Sequence, residues 1–401
     1  MSPSPDVEYR PASVKEVLAE MKDTAELLID LSYSAVLFGS EGVAEEVLAL
    51  EERMDLLQMQ ARMSLLMAAR TTDDAEQLAP VLGVVGAAEK ISDAAGDIAK
   101  VVLEEIGLPD AMRASLPEAV ESIVRATVGE DSRFAGRTLG EITFETETGV
   151  RVIAIRRGGE WLLDPTHETS LEAGDVALLR GAEENLPPVY ESITGEPYAV
   201  PDPVEPAIDD LERAVDAIVL MKNMSELAVD LAYGAVLYDS TELAEEVAAL
   251  EAEVDQLESR FEAWTLRAAA DVADPVVLRG LVHLAGSTEV ISDAALEISE
   301  GVLRGIGTHP VVAEAVLESD EVLVRSTVGE GSRLDGTTIG EQTVRTDTGM
   351  RIIAVRRPRG SPSTEDDEWE TQPGPDTRLA AGDVILAKGT RTGADRLEEL
   401  V

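Results

Sequence analysis

The chain has 401 residues, with 79 Asp and Glu against 33 Lys and Arg and a formal charge of −46. A surface so strongly of one sign repels nucleic-acid phosphates and anionic bilayers, so neither is expected as a partner. Cysteine is absent, which excludes disulfides and thiolate metal sites, and the three histidines, His167, His283 and His309, share no ligand spacing. So even an acidic excess fits a surface adapted to a salt-rich cytoplasm, where repulsion is screened over a few Å, and a halophilic host is expected.

The opening residues lack the apolar core of a signal peptide. No apolar run approaches the ~18 residues that argue a membrane span. A cytoplasmic chain with no segment inserted in the membrane is therefore expected. Val14, Val17, Leu18, Met21, Ala25, Leu28 and Leu31 recur at intervals of three and four, the stripe of an amphipathic helix. Gly39 and Ser40 end it, and Ser40 can cap the next helix, AEEVLALEERMDLLQMQARMSLLMAAR. A third helix is predicted from about 74 to 106, stopped by Gly107 and Pro109. Three long helices with short connections predict an antiparallel bundle over 10–110.

The period then changes to two, at Val124–Val128. GEDSRFAGRTLGEI reads as a short helix between turns, and TGVRVIAIRRGGEWLLDP as strands joined at Gly158–Gly159. LEAGDVALLRG reads as a tight turn feeding a last strand. A small α+β domain is predicted over 117–186, then a Pro-rich, semi-rigid linker over 187–206.

A shift of 200 residues repeats all of this. VRATVGEDSRFAGRTLGE (124–141) returns as VRSTVGEGSRLDGTTIGE (324–341), and EKISDAAGDIA (89–99) as EVISDAALEIS (289–299). The chain is an internal duplication. The second bundle is predicted over 207–310 and the second small domain over 317–401, with an insertion at 358–376 whose composition suits a mobile hairpin tip. The fold class is α+β multidomain with a pseudo-two-fold arrangement.

The bundles resemble PhoU domains, through the pairs Glu51–Asp55 and Glu89–Asp93 and their counterparts Glu251–Asp255 and Glu289–Asp293. The small domains resemble TrkA-C (RCK-C) domains, through VGEDSRFAGRTLGE, TGVRVIAIRRGGEWLLDP and LEAGDVALLRG and their repeats. The combination is similar to a haloarchaeal-type family of potassium channel and transporter regulators. The resemblance implies a cytoplasmic regulator, peripheral to a membrane cation channel or transporter. K⁺ is the favoured ion, with Mg²⁺ or another divalent ion as the alternative. Two alternative readings stand behind it, a PhoU-like adaptor in phosphate-uptake signalling and a metal-binding scaffold. No GxGxxG fingerprint precedes the TrkA-C stretches, so NAD or ATP held by a Rossmann domain is not expected.

Two residue sets are candidate sites. Spacing of four places each Glu–Asp pair on one helix face. Two such faces would give an oxygen-donor set suited to Mg²⁺ or Mn²⁺, and the resemblance adds Fe or Zn. In a chain this acidic, a solvated face is the competing reading. The second set is arginine, recurring at Arg125 and Arg325, Arg133 and Arg333, Arg156 and Arg356, and Arg157 and Arg357. A guanidinium suits phosphate because it pairs bidentately and never titrates, whereas surface ion pairs are the plainer role. Arg133 and Arg333, in Gly/Ser turns, and Arg156 and Arg356 are the candidates for a small-molecule ligand. The resemblance suggests a cyclic dinucleotide held between paired TrkA-C domains, within one chain or in a homodimer. No histidine recurs between the halves to serve a nucleophile, and a non-enzyme is expected.

Overall fold

The computed structural model describes residues 13–69, 71–109, 122–163, 165–181, 185–198, 208–305, 309–319, 321–357, 369–371 and 373–401. Helix α1 (Val14–Phe38) starts at a capping box, in which Ser13 Oγ accepts from the Glu16 N–H and the Glu16 carboxylate accepts from the Ser13 N–H. Ser40 caps α2 (Glu41–Ala68) as its position suggested, and α3 (Thr72–Leu103) completes the first bundle.

The first small domain follows as β1 (Ser122–Thr127), β2 (Arg137–Thr138), α4 (Phe144–Thr148), β3 (Val150–Arg157), β4 (Glu160–Leu162), β5 (Ser170–Leu171), β6 (Val176–Gly181) and α5 (Leu186–Thr194). Its antiparallel sheet has the order β1-β6-β3-β4. The β3–β4 turn falls at Gly158–Gly159, both with positive φ, the conformation a two-residue hairpin needs. Two expectations are corrected. Residues 129–142 form turns and the two-residue β2 rather than a helix, and the short helix α4 lies just beyond them. The stretch read as a linker from 187 begins with α5, because Pro187 and Pro188 occupy a first helical turn, where no N–H donor is required. Residues 199–207 of that stretch lie outside the described residues.

The second half repeats the plan with α6 (Asp209–Tyr238), α7 (Thr241–Ala268) and α8 (Arg279–Leu303). A helix that the sequence reading did not anticipate, α9 (Pro310–Glu318), leads to β7 (Val322–Thr327). Then come α10 (Val344–Thr348), β8 (Met350–Arg356), β9 (Trp369–Thr371), β10 (Val384–Gly389) and α11 (Arg391–Glu398), with sheet order β7-β10-β8-β9. Of the predicted insertion, 358–368 and 372 lie outside the described residues, and β9 pairs with β8.

The two bundles pack through α3 and α8, which run antiparallel. Lys90 pairs with Glu297, and the Gly280 N–H donates to the Gly107 carbonyl at 2.8 Å. A Cβ at Gly280 would overlap that carbonyl. These contacts place the pseudo-two-fold axis near Asp93 and Asp293. One apolar core runs through both bundles and takes in the inner faces of both sheets, including Ile123, Ala154 and Leu178 on one side and Leu323, Ala354 and Leu386 on the other. The outer sheet faces hold separate small cores, closed by Leu186, Val189 and Ile193 of α5 and by Leu397 of α11. Cover on both faces explains the continuous apolar runs Val152–Ile155 of β3 and Val176–Leu179 of β6.

Candidate functional site

The recurring arginines divide by environment. Arg133 is exposed on its turn, its guanidinium carbon 4.5 Å from the Phe134 ring centroid, and Arg333 is exposed on the equivalent turn. Arg125 and Arg156 instead converge on one buried carboxylate of α2. Arg125 Nε and an Arg156 terminal nitrogen stand 3.0 and 2.7 Å from Glu46 Oε1, and Glu46 is 1% exposed. This triad fastens the first sheet to the first bundle. In the second half Arg356 lies over Trp369 at 5.1 Å. There Glu242 holds a depressed pKa through the Ser240 hydroxyl, with Arg356 and Arg325 adding to the effect. Arg157 grips Asp175 with two hydrogen bonds of 2.7 and 2.8 Å, and Arg357 pairs with Glu370 at 2.7 Å. Arg156 is thus engaged in an interdomain contact, whereas Arg133 and Arg333 face solvent.

The Glu–Asp pairs gather as their spacing suggests, on the α2–α3 face of one bundle and the α7–α8 face of the other. Glu51 lies against Gly96, where a Cβ would overlap its carboxylate. Burial pushes the Glu51 pKa up. Asp93, Asp97 and Asp55 add to the effect, while Lys100 opposes it. Asp93 is raised by burial and by Glu89, Asp55 and Asp97. In the second bundle, burial and then Asp293, Glu258, Asp255 and Glu251 push Glu289 up to about 7. Glu251, Glu258 and Asp293 are raised by the same two causes. The halves differ for a reason visible in the 200-residue register: Gln58, Arg62 and Lys100 of the first are Glu258, Glu262 and Glu300 of the second. Arg62 accordingly pairs with Glu89, at 3.4 Å, in the first bundle only. The hard oxygen donors fit a divalent cation chemically. Among the described residues, however, no three acidic or histidine side chains are disposed to hold a metal ion.

A third cluster lies where both halves meet. Lys388, on β10 and nearly buried, stands 2.6 Å from Asp230 of α6, 3.2 Å from Glu321 and 3.4 Å from Glu26 of α1. Arg180, at the equivalent place on β6, pairs with Asp30 of α1 and reaches Glu321 at 3.2 Å. Lys22 of α1 binds Glu26 at 2.9 Å and the Ser319 hydroxyl at 2.7 Å. Burial opposes the charge on Lys388, but Asp230, Glu26 and Glu321 outweigh it and hold its pKa above the ordinary lysine value. Glu321 is desolvated as well, and Lys388, Arg180 and Lys22 drive its pKa below the carboxylate range. One carboxylate therefore receives a cation from the last strand of each sheet. Nearby, the Tyr33 and Thr288 hydroxyls bond at 2.6 Å between α1 and α8.

The sequence reading missed this junction, although a signal for it existed. The chain has six lysines. Lys15, Lys22, Lys90 and Lys388 all bridge the two halves, to Glu318, Ser319, Glu297 and Glu26.

Among known proteins, the model of the PhoU domain matches residues 18–102 and 218–302, and the model of the TrkA-C domain matches 123–194 and 323–401. No curated protein matches the sequence. Among solved structures, PhoU from Pseudomonas aeruginosa aligns at 14% identity with a TM-score of 0.42, covering 73% of this chain and 96% of that one. The GsuK RCK domain aligns at 18% identity with a TM-score of 0.19, covering 70% of this chain and 63% of its own. The GsuK channel bound to NAD aligns at 17% identity with a TM-score of 0.19, covering 71% and 53%. The chain thus spans less than two thirds of the RCK structures. Among the described residues no helix is long and apolar enough to cross a membrane.

Proposed function

Because this chain belongs to the proteins built of PhoU and TrkA-C domains in tandem, we propose that it is a cytoplasmic regulatory subunit of a membrane cation channel or transporter. K⁺ is the favoured ion, and Mg²⁺ or another divalent ion is the alternative. The TrkA-C pair senses a small phosphate-bearing ligand through Arg133 and Arg333, and the bundles carry the response to the membrane partner. The observation that supports this reading is the shared carboxylate of Glu321. A ligand that reorients either small domain moves Arg180 or Lys388, and both act on Glu321 and on α1, so the two sensors report to one place. The acidic faces, with Glu51, Asp55, Glu89 and Asp93 in one bundle and Glu251, Asp255, Glu289 and Asp293 in the other, would hold a hard divalent cation once their side chains converge.

The experiment is a melting assay of the full chain with cyclic dinucleotides as probes, run beside capture of the protein from membranes of its source cell. A melting shift in the parent chain, lost in Arg133→Glu with Arg333→Glu, is expected together with recovery of a K⁺ or divalent-cation transporter. An equal shift in both proteins rules out the arginine site. Recovery of a phosphate transporter or a sensor kinase replaces transport regulation with the phosphate-signalling adaptor.

A further inference from the structure

The outer face of each helical hairpin changes character along its length. On α2, Glu51, Asp55, Met59, Arg62 and Leu66 succeed one another at intervals of three and four, so they form one stripe. On α3 the matching stripe is Leu82, Gly86, Glu89 and Asp93. The contacts of Glu51 with Gly96 and of Arg62 with Glu89 fix the antiparallel register and bring Leu66 level with Leu82. The face is thus acidic at its middle and apolar toward the hairpin end. Leu66 is 73% exposed and Leu82 44%, with Met59 and Met67 beside them, and Gly86 has open space where a side chain would stand.

The second hairpin repeats the pattern with Leu266 at 75% and Val282 at 54% exposure, an equally open Gly286, and the acidic Glu251, Asp255, Glu289 and Asp293 beyond. Exposed leucines are ordinary one by one. A pair that recurs at the same two positions of both halves, on the edge of an acidic face, has the composition of a binding surface.

Charge decides the occupant. A second copy would bring another −46 against an acidic face, whereas a segment carrying Lys and Arg is attracted to it. The cytoplasmic loops of membrane proteins have that composition, with apolar residues at the end of a membrane span running into a Lys/Arg excess. We propose that the α2–α3 and α7–α8 faces are two corresponding docking surfaces, the second the more acidic, for cytoplasmic segments of an integral membrane protein, apolar side chains meeting Leu66 and Leu82 or Leu266 and Val282, and basic ones meeting the acidic stretch beyond. Leu82 and Val282 each stand some eleven residues from the pseudo-two-fold axis on antiparallel helices, so the two surfaces lie on the order of 35 Å apart at 1.5 Å per residue. A partner presenting the same segment twice, as a homodimer or an internal duplicate does, fits that spacing. The proposal rests on the transport-regulation reading and adds to it the place of contact.

The test uses the full chain and its Leu66→Ser, Leu82→Ser, Leu266→Ser, Val282→Ser variant, whose substitutions are all at exposed positions and should leave the melting temperature unchanged. Titration with a synthetic peptide of Leu and Ala running into Lys and Arg is expected to show two sites per chain. Binding should weaken with salt and fall on the order of tenfold or more in the variant. Equal binding by both proteins overturns the proposal. A photo-crosslinker at position 66, used on membranes of the source cell, is expected to join an integral membrane protein at a Lys/Arg-flanked segment. An adduct of twice the chain's own mass would identify a second copy as the occupant and overturn it as well. Sedimentation with those membranes separates the two readings. If parent and variant both sediment, the docking surface is wrong and transport regulation stands. If neither does, transport regulation falls and the docking surface falls with it.

Discussion

Lys388 is the residue on which most of the interdomain charge depends. It offsets Asp230, Glu26 and Glu321 from a nearly buried position, and no backbone group could replace its charge. Breaking a buried ion pair costs about 3–5 kcal/mol; Lys22 stays on Glu26, Arg180 on Glu321 and Arg351 on Asp230, which holds the loss to the lower end of that range. Lys388→Met keeps the length and apolar stem of the side chain, and is expected to lower stability by that amount in denaturant titration. A loss below about 1 kcal/mol would show that solvent already screens the cluster. The pH window follows from the two shifts. The raised Lys388 contributes fully below its ordinary value of 10.5 and loses its contribution only in strong alkali. The depressed Glu321 contributes fully above 4.5 and loses its contribution as the pH falls. Both contributions are therefore complete at neutral pH. The sequence showed Lys388 as one charge among more than a hundred. Burial is what distinguishes it, and burial depends on α1 and α6 meeting β10 across most of the chain length.

At the scale of elements, the long helices and the strands were legible because each carries its own period, and α1, α2 and α7 carry serine caps as well. Ser40 and the Gly158–Gly159 turn act as the sequence suggested. The short helices were not. In α5 the prolines that suggested a linker begin a helix, and α9 has too few residues for its period to stand out. The acidic hairpin faces were half legible. Spacing identified Glu289 and Asp293, but the contrast between the halves comes from Glu258 and its neighbours, whose side chains matter only once α7 lies against α8. Glu289, at about 7, makes the sharper prediction. Its pKa is raised on folding, so its ionisation destabilises the native state progressively between about 4.5 and 7, and fully above that. Glu289→Gln is expected to raise the melting temperature at pH 8, with the gain shrinking to nothing near pH 4.5. Glu89→Gln, in the face that Arg62 and Lys100 partly neutralise, should gain less. Equal gains at the two positions would contradict the asymmetry.

Considered as a whole, the duplication produced a closed object rather than two beads. The core is continuous through both bundles and the inner faces of both sheets, although the sequence period alone would equally suit four independent domains on linkers. Calorimetry is expected to show the bundles unfolding in one cooperative transition, with equal calorimetric and van't Hoff enthalpies for that step. Two separated bundle transitions would mean that the α3–α8 contact is too weak to join them. The chain's charge should act on this body through ionic strength. Added salt screens the carboxylates of the hairpin faces and leaves the buried junction largely untouched.

The contacts of α1 have a consequence for how the protein is made. Lys22 leaves the ribosome early, but its hydroxyl partner on Ser319 follows 297 residues later, and α9 arrives just before it to pack on α1. At translation rates of about 5–20 residues per second, that interval is roughly 15–60 s. Throughout it, the nascent first half must wait with an unfinished apolar flank and a Lys22 ammonium that has Glu26 but not yet Ser319, while a second half of nearly the same sequence emerges beside it. A duplicated chain is most exposed to pairing with the wrong copy at that stage, either a neighbour on the same polysome or its own repeat in the wrong register. The dense negative charge that each half already carries would keep such nascent chains apart until the correct partner is complete.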